Sequence, residues 1–110
     1  MKIQVLVATM HQIDKSLLQR MNIRSEAVIG NQCGHNLFEE VNYNNHIVKY
    51  LNTDGVGVGL NRNNSLMVAD GDVVVFADDD EILSDNYTDV ISKAYKDLPD
   101  ADAIIFNIES

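Results

Sequence analysis

The chain has 110 residues, 45% of them hydrophobic and 23% charged, which is enough apolar material for one domain with a single core. Seventeen acidic against eight basic residues leave a formal net charge of −9, which repels phosphate backbones and anionic lipid and so argues against nucleic-acid binding and a polybasic membrane anchor. A single cysteine, Cys33, allows no internal disulfide, and no His/Cys spacing of the zinc type is present.

The apolar run at the N-terminus is too short for a signal peptide and reads as a strand. The longest later run, Val73 to Ala77, falls far short of the roughly 20 residues of a spanning helix. No membrane insertion is expected, and the expected compartment is a reducing one, the cytoplasm.

Ile3 to Thr9 is a nearly unbroken apolar run, as in a parallel strand buried on both faces. Asp14 is placed to cap a helix over 14–22, with Ile13 stapling onto Leu17 or Leu18 and with Leu17, Leu18 and Met21 on one face. Ala27 to Gly30 makes a short second strand. Residues 31–45 are rich in Asn, Gln and Gly without a clear period, which predicts a loop with a helical turn at 37–41.

His46 to Leu51 is the third strand, and Gly55 to Gly59 leads into a helix over 60–69 carrying Leu60, Met67 and Val68. After a turn at Asp70-Gly71-Asp72, Val73 to Ala77 gives the strongest buried-strand signal of the chain. Ser84 or Asp85 caps a helix whose Tyr87, Val90, Ile91, Ala94, Tyr95 and Leu98 follow a 3-and-4 spacing. Pro99 stops it, and Ala103 to Phe106 makes a last strand. Strands alternating with helices predict an α/β fold, a three-layer, doubly wound, mostly parallel sheet in one domain over 1–110.

Asp78-Asp79-Asp80-Glu81, directly after that buried strand, is the main chemical clue. Like charges so close require a counter-cation or a shift in protonation. Ligand crevices of open α/β sheets lie beyond the carboxyl ends of strands, and hard ions such as Mg2+ or Mn2+ take carboxylate and phosphate oxygens together. A metal–diphosphate site is one reading, and a solvated acidic turn capping the next helix is the other.

The glycines at 55, 57 and 59 lack the sixth-position glycine of a dinucleotide fingerprint, since Leu60 stands there, and a turn into a helix suffices for them. Arg62 can hold a base or phosphate beside a crevice, or form a surface ion pair. His11, His35 and His46 show no metal-ligand spacing, and Cys33 reads as structural.

Gly57 to Leu66 with Asn61-Arg62, followed by Ala69-Asp70-Gly71-Asp72 and Val73 to Asp80, resembles the core signature of family 2 glycosyltransferases. The first strand, ending in Ala8-Thr9, fits that family's opening strand. The resemblance implies the Rossmann-like half of a GT-A fold, a nucleotide-diphospho-sugar donor, foremost a UDP-sugar, and Mn2+ or Mg2+ as cofactor. By position it makes Asp78 and Asp80 the ends of a D-x-D motif and the metal ligands. Thr9, Asn31, Arg62, Asp78 and Asp79 become nucleotide contacts.

Ala8 replaces the family's usual proline, and Asn31-Gln32 stands where an acid often reads the base. The family's catalytic domain is longer, and its second half carries the acceptor site and the general base. The expectation is therefore donor binding with little transfer by this chain alone, and no residue is nominated as catalytic base.

Two other readings stand beside it. Val75 to Asp80 also resembles the haloacid-dehalogenase motif, with Asp78 taking the phosphate and Asp80 as acid/base, but that family carries it on its first strand. Alternatively the chain is a non-catalytic cation- or nucleotide-binding module. An uncovered apolar sheet face would in either case favour a homodimer.

Overall fold

The computed structural model describes residues 2–54, 64–65 and 67–97. Five strands form one sheet: β1 (Ile3–Met10), β2 (Glu26–Gln32), β3 (Leu37–Tyr43), β4 (His46–Thr53) and β5 (Val73–Asp78), in the spatial order β3-β4-β2-β1-β5. β2 and β5 flank β1 in parallel, β4 runs parallel to β2, and β3 is antiparallel to β4. Helix α1 spans Ser16–Arg20 and helix α2 spans Tyr87–Asp97. The expected mostly parallel α/β sheet is present.

β1 is buried on both faces, as its nearly unbroken apolar run requires. Val5 and Val7, with Ala27, Ile29, Val48 and Val75, meet Leu17, Leu18 and Met21 of the α1 segment and Tyr87 and Ile91 of α2. On the alternate face Leu6 and Val28 are also buried, while Phe76 of β5 is half-exposed. β5 consequently alternates buried and open positions instead of being covered throughout.

α1 is shorter than the helix expected over 14–22. Its N-cap position is Lys15 with no side-chain cap, and Asp14 instead accepts the Ser16 N–H at 3.0 Å across a local turn. The Ser16 hydroxyl, and after it that N–H, holds the Asp14 carboxyl below its ordinary range. Ile13 is 98% exposed, so the hydrophobic staple onto Leu17 or Leu18 does not form.

The C-terminus of α1 is a Schellman turn. Asn22 sits at φ 60°, its N–H reaches Gln19 O, and the Ile23 N–H reaches Leu18 O.

The loop expected over 31–45 is the largest correction. Residues 37–43 form β3, paired with β4 through a hairpin turn in which Asn44 and Asn45 both have positive φ. Two consecutive left-handed residues give the twist that a two-residue hairpin needs, and asparagine tolerates that conformation. Along β3, Glu39, Val41 and Tyr43 are half-buried while Phe38, Glu40 and Asn42 face out. Three of these positions are polar, which hid a strand period from an apolar count.

Residues 64, 65, 67 and 68 are helical, within the helix expected over 60–69, and Met67 is 84% exposed. The turn before β5 is locked by Gln4. Its side-chain oxygen accepts the Asp70 and Gly71 N–H groups at 2.8 and 3.0 Å, and its amide donates to Asp70. Gly71 is required there because a Cβ would lie 2.7 Å from Gln4 Cβ. The glycine stretch 55–59, Arg62, and Leu98, Pro99 and the strand expected at 103–106 lie outside the described residues.

Among the described residues no helix is long and apolar enough to cross a membrane.

Candidate functional site

Four parallel strands bring their carboxyl ends to one edge of the sheet, and each apolar run ends there in a polar residue. Register places Thr9 opposite Asn31, and Asn31 opposite Asn52. All three are buried. Asp78 closes β5 beside Ala8, on the other side of β1. The chain reverses its direction of travel across the sheet between β1 and β5, and ligands of open α/β sheets bind at such a switch point.

Thr9 spans that point. Its hydroxyl donates to Asp79 Oδ2 at 2.8 Å and accepts from Gln12 Nε2 at 3.1 Å. Gln12 in turn is fixed by Asn31, whose Oδ1 accepts the Gln12 N–H at 3.1 Å while its Nδ2 donates to Gln12 O at 2.9 Å. Asn31 Nδ2 also donates to Asn52 Oδ1 at 3.0 Å. One hydrogen-bonded chain therefore runs from Asp79 through Thr9, Gln12 and Asn31 to Asn52. It holds the β1–α1 connection, where His11 turns at φ 58°, over the edge of the sheet.

Gln12 and Asn52 were missed by sequence reasoning. For Asn52 the signal was the polar residue near the end of β4, one residue beyond the run counted as apolar, while Gln12 follows β1 and carried no such signal.

In the acidic segment, Asp78 and Glu81 clasp each other. The Glu81 N–H donates to Asp78 O at 3.1 Å, and Glu81 Oε1 accepts the Asp78 N–H at the same distance. Asp79 and Asp80 form the turn between them, with Asp78, Asp79 and Asp80 exposed. The alternative in which this segment caps the following helix does not hold. α2 begins only at Tyr87, after Leu83 has bonded back to Met21 O, and its first-turn acid is Asp89.

Among the described residues no group of three or more His, Cys, Asp or Glu is gathered as a metal cage. The donor set nonetheless fits a hard divalent ion brought with a diphosphate, since Mg2+ is commonly held by one or two carboxylates together with phosphate oxygens and water. Thr9, Asn31 and Asp79 are thus joined in one network, with Asp78 and Asp80 flanking Asp79 in the chain.

A cavity of about 260 Å³ adjoins the Asn31–Asn52 end of the network, lined among others by Gln12, Lys15, Cys33 and Tyr50. Cys33 Sγ lies 3.4 Å from His35 Nδ1 there.

No curated protein and no solved structure matches the chain. The family model for glycosyl transferase family 2 matches residues 32–109, which takes in β3, β4, β5 and the acidic segment. β1 and most of β2 precede that stretch, and the Thr9–Asp79 hydrogen bond ties them to it. With the motif on β5 and not on the first strand, the haloacid-dehalogenase resemblance gains no support. The chain belongs to glycosyl transferase family 2.

Proposed function

We propose that the carboxyl edge of the sheet binds a nucleotide-diphospho-sugar, foremost a UDP-sugar, together with Mn2+ or Mg2+, as the donor site of a sugar transfer to an acceptor hydroxyl. The observation that supports this best is the Thr9–Asp79 bond across the switch point, inside a family of sugar-transferring enzymes. Asp78 and Asp80 would hold the ion, and the bound ion would supply charge neutralisation to the departing diphosphate.

The remaining work falls to the chain itself. Thr9 fixes Asp79 and so sets the direction of the acidic turn. Glu81 clasps Asp78 and sets the spacing of the turn. Both amide protons of Asn31 are engaged within the protein, so Asn31 serves the nucleotide by bracing the β1–α1 connection through Gln12.

Calorimetric titration with UDP, with and without Mn2+, tests the reading. Heat is expected only with the metal, and Asp80→Ala is expected to weaken UDP–Mn2+ binding by about tenfold or more, given that even supporting residues of metal sites cost roughly 10–100-fold in affinity. An Asp80→Ala variant that binds UDP–Mn2+ as tightly as the wild type would overturn it.

A further inference from the structure

The inward positions of β4 are Val48, Tyr50 and Asn52. Tyr50 is 2% exposed, and its hydroxyl is, among the described residues, the buried side-chain polar atom without a hydrogen-bond partner. Buried hydroxyls are ordinarily paired, because an unmade hydrogen bond in the interior is costly. Tyr50 also lines the cavity at the Asn31–Asn52 end of the network.

The charges around that cavity compensate one another. Lys15 and Arg20 stand against Asp14 and Glu39: Lys15 Nζ pairs with Glu39 at 3.4 Å and lies 5.0 Å from the centre of the Tyr50 ring, Arg20 donates to Gln12 Oε1 at 2.8 Å, and Asp14 is turned to the Ser16 N–H. Without surplus positive charge the cavity suits an uncharged polar group better than a phosphate. Strands lie about 4.8 Å apart, so β5 and β4 are separated by roughly 14 Å across β1 and β2. A nucleotide anchored by its diphosphate at the acidic turn would extend its base toward the cavity.

We propose that Tyr50 is a specificity-determining residue of the nucleotide site, its hydroxyl donating to a carbonyl or ring-nitrogen acceptor on the base. The inference rests on the donor-site reading above and adds to it the group that recognises the base. It gives a partner to a buried donor that has none among the described residues.

Two measurements test it. Titrations of UDP with Mn2+ compare wild type, Tyr50→Phe and Asp80→Ala, with the melting temperature of each unliganded protein. Separately, uridine alone is added to protein carrying ¹³C-labelled tyrosine, and the Tyr50 ring resonance is followed. Tyr50→Phe is expected to weaken UDP binding roughly 3- to 10-fold, the effect of one neutral hydrogen bond, while leaving the unliganded melting temperature unchanged or raised. Uridine is expected to shift the Tyr50 resonance.

If Tyr50→Phe binds UDP as tightly as wild type while Asp80→Ala loses it, the role of Tyr50 is overturned and the donor site stands. If uridine shifts Tyr50 and Tyr50→Phe weakens UDP while Asp80→Ala does not, Tyr50 stands and the metal assignment falls. No heat and no shift overturn both. A lowered melting temperature of unliganded Tyr50→Phe would reveal a structural partner for the hydroxyl and would also overturn the proposal.

Discussion

Asn31→Asp removes the centre of the hydrogen-bonded chain with almost no change of shape. In the wild type the Asn31 amide nitrogen donates to Gln12 O and to Asn52 Oδ1 at 2.9 and 3.0 Å, at a position 2% exposed. A carboxylate presents an oxygen to both acceptors, so two hydrogen bonds worth about 1 kcal/mol each are lost and buried acceptors are left unpaired at a further 1–3 kcal/mol. The expected loss is about 3–5 kcal/mol at pH 8, a large part of the roughly 5–15 kcal/mol that a domain possesses.

The loss is pH-dependent with a definite sign. The protonated carboxyl can still donate to one acceptor, so the folded variant holds this proton more tightly than the unfolded chain does. Stability then falls as pH rises from the unfolded carboxyl range through the raised folded value, and the deficit narrows in acid. Urea unfolding of wild type and variant at pH 8 and pH 4, followed by circular dichroism, measures both quantities. Equal stability at pH 8, or a deficit that does not narrow at pH 4, refutes the assigned role of the amide.

Two further outcomes follow from the opposite end of the sheet. Tyr87, wholly buried, accepts the Arg24 N–H and shares a hydrogen bond with Ser25 Oγ, both at 2.7 Å. Tyr87→Phe is expected to cost about 1–3 kcal/mol in urea unfolding while leaving UDP–Mn2+ affinity unchanged, because Arg24 and Ser25 precede β2 at its amino end. Asp70 is held below the ordinary carboxylate range by its hydrogen bond from Lys2 and by Lys49, and the same hydrogen bond raises Lys2. The Asp70 contribution is present above the ordinary carboxylate range and lost as pH falls through its lowered value; that of Lys2 is present below the ordinary lysine range and lost as pH rises through its raised value. Melting curves against pH should therefore flatten at both ends in Asp70→Asn, and the difference should shrink in high salt because these groups are exposed.

β1 and β2 were legible because burial on both faces imposes a nearly unbroken apolar run, as in Val5 to Ala8 and Ala27 to Ile29. β3 was not legible by that rule. It is an edge strand whose outward residues are polar or carry one open apolar group, and what identifies it is the Asn44-Asn45 pair, whose left-handed backbone only the pairing with β4 makes evident. The length of α1 failed for a related reason. Asp14 and Ile13 have the residue types of a cap and a staple, but the β1–α1 connection is held by Asn31 and Gln12, which leaves Ile13 outside the core. At the site, the acidic turn and Thr9 could be found separately, while their contact depends on β1 lying beside β5, a fact of sheet order.

That sheet order also bears on why the proposed donor site needs a cation. A diphosphate placed beyond the carboxyl end of β5 faces Asp78, Asp79, Asp80 and Glu81 on a chain of net charge −9. Two like unit charges about 5 Å apart repel by about 3 kcal/mol at an effective dielectric of about 20, so two such contacts offset most of what a few good hydrogen bonds contribute. The neutral donors of the Thr9–Gln12–Asn31 chain are already engaged with one another and with Asp79. Nucleotide binding at this edge is therefore expected to be metal-dependent in an all-or-none way rather than merely strengthened by metal. Uridine, which carries no phosphate, should be indifferent to Mn2+, and a uridine response that required the ion would contradict the division of the site into a charged turn and an uncharged cavity.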